Sequence, residues 1–265
     1  MKSKQKDIYI LIFLIILLFA INYSFLDKLV VNFLDETQTA RVIRVIDGDT
    51  IEVELNGNET KVRLLGINTP ERGERFYTEA KEFLEEEILN KTVILELGKE
   101  KYDRYQRLLS YVYINNRNIN KEVVENGFGN YYFPSGKDQQ YGDFVNAWNS
   151  CISNNRNLCE KSNNKCSDCI ELKDLNVKNQ EIILFNSCEF ECGLKDWQIK
   201  DEGRKKFVFP EIVVNSNSNL NIVIGDENNT GNVLYWSGED YVFTKTGDSL
   251  FLRDKKGKLV LWKSY

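Results

Sequence analysis

A chain of 265 residues with 42% hydrophobic and 28% charged content can bury two modest cores, which excludes wholesale disorder. It contains no histidine, so Ser-His-Asp and Cys-His systems, His-ligated zinc and a His general base are all excluded. The net charge is −5, and residues 40–158 are themselves slightly acidic, so this is no charge-driven nucleic-acid coat. Any phosphate chemistry has to come from a local site.

The N-terminus opens with Lys2, Lys4 and Lys6 and continues into an apolar run over residues 8–21. That charge order fits an apolar anchor helix inserted by the positive-inside rule. No small-x-small cleavage site follows. Residues 1–37 are therefore expected to be an uncleaved signal anchor and tether, single-pass in the cell membrane with the rest of the chain outside; cleavage would leave a secreted protein. Six cysteines (Cys151, Cys159, Cys166, Cys169, Cys188, Cys192) agree with an oxidising compartment and disulfides, while Cys166-x2-Cys169 and Cys188-x3-Cys192 also fit a four-cysteine zinc site.

Strand-like alternation then begins. Residues 40–46 and 50–55 read as paired strands, and 61–67 as a third after the Asn56-Gly57 hairpin signal. Residues 76–89 read as a helix with Phe76, Ala80, Phe83, Leu84 and Ile88 on one face. Strands follow at 92–97 and 108–114, then helices at 120–126 and 137–153. This order predicts a mainly β protein with a five-stranded OB-fold barrel and three helices over residues 38–159. A polar linker is expected at 160–165. From 166 to 265 the pattern is almost all short strands with turns at Gly203, Gly225, Gly247 and Gly257, which predicts a β-sandwich.

Four segments carry chemistry. Asp47-Gly48-Asp49-Thr50 sets two carboxylates around a glycine turn, as a hard cation requires, although the same tripeptide is a common turn. In Arg63-Leu64-Leu65-Gly66-Ile67-Asn68-Thr69-Pro70-Glu71 a guanidinium sits inside an apolar strand, where it is either a surface arginine or an inward phosphate clamp. Asn68 and the Thr69 carbonyl add oxygens after it. Asp103-Arg104-Tyr105-Gln106-Arg107 offers a second clamp in Arg107. Gly127-Phe128-Gly129-Asn130-Tyr131-Tyr132-Phe133 is an aromatic cluster suited to base stacking or to a core.

Taken together and in this order, these segments resemble the staphylococcal nuclease (thermonuclease) family over about 120 residues. The resemblance implies an OB-fold enzyme that cleaves DNA and RNA phosphodiesters with Ca²⁺ and leaves 3′-phosphates. It further implies that Asp49, Asn68 and the Thr69 carbonyl bind Ca²⁺ with Asp47 nearby. Glu71 would activate water, Arg63 and Arg107 would hold the scissile phosphate, Tyr105 would contact substrate phosphate, and Tyr131 or Tyr132 would face the base. The family usually carries Asp where this chain has Asn68, which removes a negative charge from the cation site. The loop between Glu71 and Phe76 is also shorter than in the best-known member.

The segments around Trp197, Asp201-Glu202-Gly203, Phe207-x-Phe209-Pro210, Leu234-Tyr235-Trp236 and Thr246-Gly247-Asp248 resemble a lamin-tail domain, an immunoglobulin-like sandwich. That resemblance implies a binding or tethering module with a protein or cell-surface partner. The alternative to an exported, membrane-associated nuclease is a catalytically inactive surface module that binds nucleic acid or protein.

Overall fold

The structure is a computed structural model and describes residues 37–265 together with Ile8, Tyr9, Leu11, Ile12, Phe13 and Ile15, which are helical and exposed. The rest of the expected anchor lies outside the described residues. Among the described residues no helix is long and apolar enough to cross a membrane.

The first half is a closed barrel. β1 (Thr37–Asp47), β2 (Thr50–Leu55) and β3 (Asn58–Leu64) form an antiparallel meander. Asn56 and Gly57 close the β2–β3 hairpin with φ of 51° and 77°, the positive values that a two-residue turn matching strand twist demands. After the short β4 (Ile67–Asn68) and α1 (Tyr77–Ile88), the chain re-enters the sheet as β5 (Thr92–Tyr102), antiparallel to β1. β6 (Leu108–Ile114) pairs with β5 and then, in parallel, with β3 through Val62↔Leu108 and Leu64↔Ser110. That last pairing removes both sheet edges and yields the five-stranded, OB-like barrel. Alternate strand residues such as Val42, Ile51, Val53, Val62, Leu95 and Val112 fill it, all fully buried.

Three helices plug and cover the barrel. α1 buries Ala80, Leu84 and Ile88. After β7 (Arg117–Asn118), α2 (Ile119–Glu125) starts on Asn118, whose side chain accepts from the Lys121 N–H at 3.0 Å. β8 (Asn130–Tyr131) pairs with β4, and α3 (Tyr141–Ser153) buries Phe144, Ala147, Trp148 and Cys151. α3 starts at Tyr141, the first residue of its apolar spacing, and not at the expected residue 137. Asp138 is the reason: it accepts the Tyr111 hydroxyl at 2.6 Å and the Gln140 N–H at 2.9 Å, which holds residues before Tyr141 in a turn.

The second half holds two four-stranded sheets. One has the order β16 (Val233–Trp236), β15 (Ser218–Ile224), β10 (Glu181–Asn186), β9 (Ile170–Asn176). The other has the order β13 (Lys206–Val208), β12 (Gln198–Lys200), β17 (Ser249–Arg253), β18 (Leu259–Ser264). A two-stranded piece pairs β11 (Cys192–Gly193) with β14 (Val213–Val214). Ile182, Ile222 and Trp236 from the first sheet and Ile199, Phe207 and Leu252 from the second share one buried cluster. The sequence reading missed β9 because a bulge at Lys173, opposite Ile183 and Leu184 of its partner, shifts the register, so Leu172 and Leu175 do not alternate cleanly.

All six cysteines form disulfides: Cys151–Cys159, Cys166–Cys192 and Cys169–Cys188. The Cys188 and Cys192 sulfurs lie 3.8 Å apart, so the second and third bridges stack in one buried knot.

The two halves share a core. Phe251, Leu259 and Trp262 of the second sheet pack in the barrel's own cluster. Trp148 meets Phe251 edge to face at 5.4 Å, and Tyr131 meets Trp262 at 6.3 Å. The segment expected as a linker is also tied down: the Ser162 N–H donates to the Leu259 carbonyl at 2.8 Å.

Candidate active site at the barrel mouth

Each motif is shaped by its own local hydrogen bonds. In the β1–β2 turn, the Asp49 N–H donates to Asp47 Oδ1 at 3.1 Å. Gly48 is required there, because a Cβ would lie 2.7 Å from the Ala80 Cβ and 2.8 Å from Thr69 Oγ1. Burial raises the Asp47 carboxyl above its usual range, and the neighbouring charge of Asp49 adds to this. Two carboxylates that repel each other in a half-buried turn suit an added cation.

Gly66 lets the chain leave β3 sharply. Its φ is +73°, and a Cβ would press on the Phe144 and Phe133 rings at 3.1–3.2 Å. The kink brings Asn68 and Thr69 back beside Asp49, whose Oδ2 accepts the Thr69 N–H at 3.2 Å. Arg63 is buried at 8% exposure and braces this junction. It pairs with Asp49 at 3.0 Å and donates to the carbonyls of Leu64 and Ile67. The apolar setting of Arg63 therefore marks an inward guanidinium, not a surface one.

In the third motif Asp103 organises its own loop. One oxygen accepts the N–H groups of Tyr105 and Arg107 at 2.9 Å each, and the other holds the Arg107 side chain at 2.7 Å. Burial alone would raise the Asp103 carboxyl; these bonds outweigh it and lower it. Arg107 also reaches Thr50 Oγ1 at 3.4 Å, which links the loop to the Asp49 turn. Tyr105 is exposed, with Arg104 and Arg107 over its ring at 4.8 and 5.4 Å.

Arg63, Asn68, Tyr105, Arg107 and Tyr132 line one cleft of about 670 Å³, and the Asp49 turn lies behind this lining, tied to it through Arg63 and Arg107. Tyr131 is not part of it. The expectation that Tyr131 faces a base is corrected: its side chain is fully buried between the halves, and its hydroxyl bonds Ser249 Oγ at 2.7 Å, so no face remains for stacking. Tyr132 does line the cleft, and burial followed by the charge of Asp201 raises its hydroxyl.

Glu71 sits at the exposed rim. Its N–H donates to Glu74 at 3.0 Å, and its carboxylate pairs with Arg204 at 2.8 Å. Asn68 is buried, and its amide donates to the carbonyls of Gly203 at 2.6 Å and Glu202 at 3.4 Å. Its amide nitrogen is thus committed to the second half of the chain, leaving its oxygen as the atom to offer a cation. Asp201, Gly203, Arg204 and Lys205 also line the cleft. Sequence reasoning missed this group, since nothing local to residues 201–205 points to residues 63–107. Burial, with Asp248 adding repulsion, pushes both Asp201 and Glu202 up to about 7.

An OB-like barrel whose mouth gathers carboxylates, guanidiniums and backbone oxygens is a barrel protein that presents the donor types a hard cation and an anion each require. Residues 61–160 match the staphylococcal nuclease homologue family. An uncharacterized protein of Methanocaldococcus jannaschii is 34% identical over 152 residues, covering 47% of this chain and 72% of that relative. The thermonuclease of Staphylococcus hyicus is 36% identical over 111 residues, covering 39% and 66%. An uncharacterized endonuclease of Haemophilus influenzae is 37% identical over 107 residues, covering 40% and 59%. Residues 61–160 are therefore a staphylococcal nuclease homologue domain within this chain. The chain spans about three-fifths to three-quarters of these relatives, and each match covers less than half of this chain.

Proposed function

We propose that the protein is a Ca²⁺-dependent nuclease that hydrolyses DNA and RNA phosphodiester bonds and leaves 3′-phosphates. The observation that carries the reading is a cleft lined by Arg63, Asn68 and Arg107, to which the Asp47–Thr50 turn and Thr69 are joined by the Asp49–Arg63 pair, the Thr69 N–H to Asp49 and the Arg107 contact with Thr50. Named nucleases among the relatives support it.

The donor set fits Ca²⁺: the Asp47 and Asp49 carboxylates, Asn68 Oδ1 and the Thr69 carbonyl are hard oxygens, and burial and the neighbouring charge of Asp49 raise Asp47. Bound there, the cation would neutralise charge on the phosphate. Glu71 takes a proton from the attacking water, as the carboxylate of the set that is not assigned to the cation. Arg107 presents a fork to the phosphate oxygens from a loop that Asp103 holds in shape. Arg63 supports from behind, aligning Asp49 and lending positive charge to the cleft. Tyr105 contacts substrate phosphate from the rim, and Tyr132 is the aromatic face available to a base.

A second reading, an inactive module that binds nucleic acid or protein, is favoured by one observation: Glu71 is already paired with Arg204. One assay separates the two. The protein is incubated with DNA and with RNA, first with Ca²⁺ and then with EDTA. The nuclease reading expects cleavage that EDTA abolishes and that Glu71→Ala reduces by at least about 100-fold, the scale of a lost general base. Intact substrate with Ca²⁺ would favour the binding module. Undiminished cleavage by Glu71→Ala would remove Glu71 from the mechanism.

We also read the second half as lamin-tail-like, on the support of two sheets around one core. The apolar run at 8–21 and the three disulfides support a protein displayed outside the cell membrane or secreted.

A further inference from the structure

The cleft has one wall that the barrel does not supply. It is the turn between β12 and β13. Three buried bonds fix this turn to the barrel: the Asn68 amide to the Gly203 carbonyl at 2.6 Å, the Asn130 amide to the Glu202 carbonyl at 2.8 Å, and the Phe133 N–H to the Glu202 carboxylate at 3.2 Å. Lys206 and Lys200 flank Glu74 at 2.9 and 4.0 Å on the same side. Buried polar bonds of this kind are costly to break, so the turn is a fixed part of the cleft and not a passing neighbour.

What the wall presents to solvent is Arg204. Its side chain is 63% exposed, it lines the cleft with Arg63, Arg104 and Arg107, and its ion-pair partner is Glu71. That pair is exposed on both sides and is therefore worth little, so a better anion can displace it. Lys205 beside it is engaged elsewhere, paired with Glu239 at 3.2 Å and stacked on Tyr241 at 3.8 Å. In a chain of net charge −5, attraction for a polyanion has to come from such local cations.

We propose that Arg204 is a phosphate-binding residue of the cleft, supplied by the C-terminal half, that grips a nucleic-acid phosphodiester next to the one undergoing cleavage. The inference rests on the nuclease reading and deepens it. In the free protein the guanidinium rests on Glu71. When a strand enters, it exchanges that carboxylate for two phosphate oxygens, which its planar fork matches and a lysine ammonium does not. The C-terminal half is then part of the substrate site and not only a tether.

The test measures binding of a short single-stranded DNA across a sodium chloride series in EDTA, so that no cleavage occurs. It uses the full chain, Arg204→Gln and Arg204→Lys, with melting curves taken for each. The expected result is affinity about fivefold lower for Arg204→Gln, with the slope of log affinity against log salt smaller by about 0.7. Arg204→Lys should keep the slope while losing part of the affinity. Native affinity and slope in Arg204→Gln would overturn the inference while leaving the nuclease reading intact. A weaker affinity with an unchanged slope would also overturn it, since a structural role removes no phosphate contact. Faster cleavage by Arg204→Gln once Ca²⁺ is restored would assign Arg204 to restraining Glu71 instead. A native chain that neither binds nor cleaves would overturn both readings.

Discussion

At Asn68 two demands meet on one side chain. In the proposed site its oxygen would serve the cation, and its nitrogen donates to the Gly203 and Glu202 carbonyls of the other half. An aspartate, usual at this position in the resembling family, has no N–H to give and would set a carboxylate against two carbonyl oxygens. Asn68→Asp is therefore expected to lower stability by about 1–3 kcal/mol in EDTA, read from urea unfolding. It should also place a third negative charge beside Asp47 and Asp49, so Ca²⁺ should restore part of the loss and activity should need less Ca²⁺. Equal unfolding midpoints in EDTA would show that the amide contact is dispensable. Arg63 was legible as special because an arginine in an apolar strand has to find anions or carbonyls; which ones it finds was not. Tyr131 and Tyr132 are adjacent and chemically alike. Packing against Trp262 and the bond to Ser249 hold the first inward, and no property of the pair alone distinguishes them.

At the scale of elements, the turn after β12 carries an unusual load of buried acid. Asp201 and Glu202 are pushed up to about 7 by burial and by Asp248. A carboxyl raised in the folded state keeps its proton while the unfolded chain has already released one. Its contribution to stability is present below the unfolded value, about 4, and is lost as pH rises toward 7. Asp201→Asn should therefore gain stability relative to the native chain at pH 7.5 and little at pH 4, measured as the difference in urea midpoints. A constant difference at both values would mean that Asp201 titrates normally. The strands and helices themselves were largely readable, because alternation, helical spacing and the Asn56-Gly57 turn are local. β9 was hidden by a bulge and the start of α3 by the Asp138 turn, both of which depend on partners distant in sequence.

At the scale of the whole molecule, the two halves are packed against each other and are expected to unfold together. Trp148 and Tyr131 of the barrel pack on Phe251 and Trp262, and Arg253 and Arg75 cross between the halves through the Leu158 and Lys256 carbonyls. Calorimetry of the full chain should show a single transition, with equal calorimetric and van't Hoff enthalpies. Residues 37–159 alone would expose that aromatic face and are expected to melt lower and bind a hydrophobic dye. Two separate transitions in the full chain would show that the shared core couples the halves only weakly.

The sequence by itself determined the barrel, the absence of histidine chemistry and the motifs that make up most of the site. Those features depend on residue type and on spacing within one element or turn. The tertiary structure alone decided that Tyr131 is core, that Asn68 is a tie between halves, and that the β12–β13 turn forms a wall of the cleft. Residues 68 and 203 lie 135 positions apart. Such a contact is selected by the fit of two folded surfaces, and no local pattern in either segment encodes it.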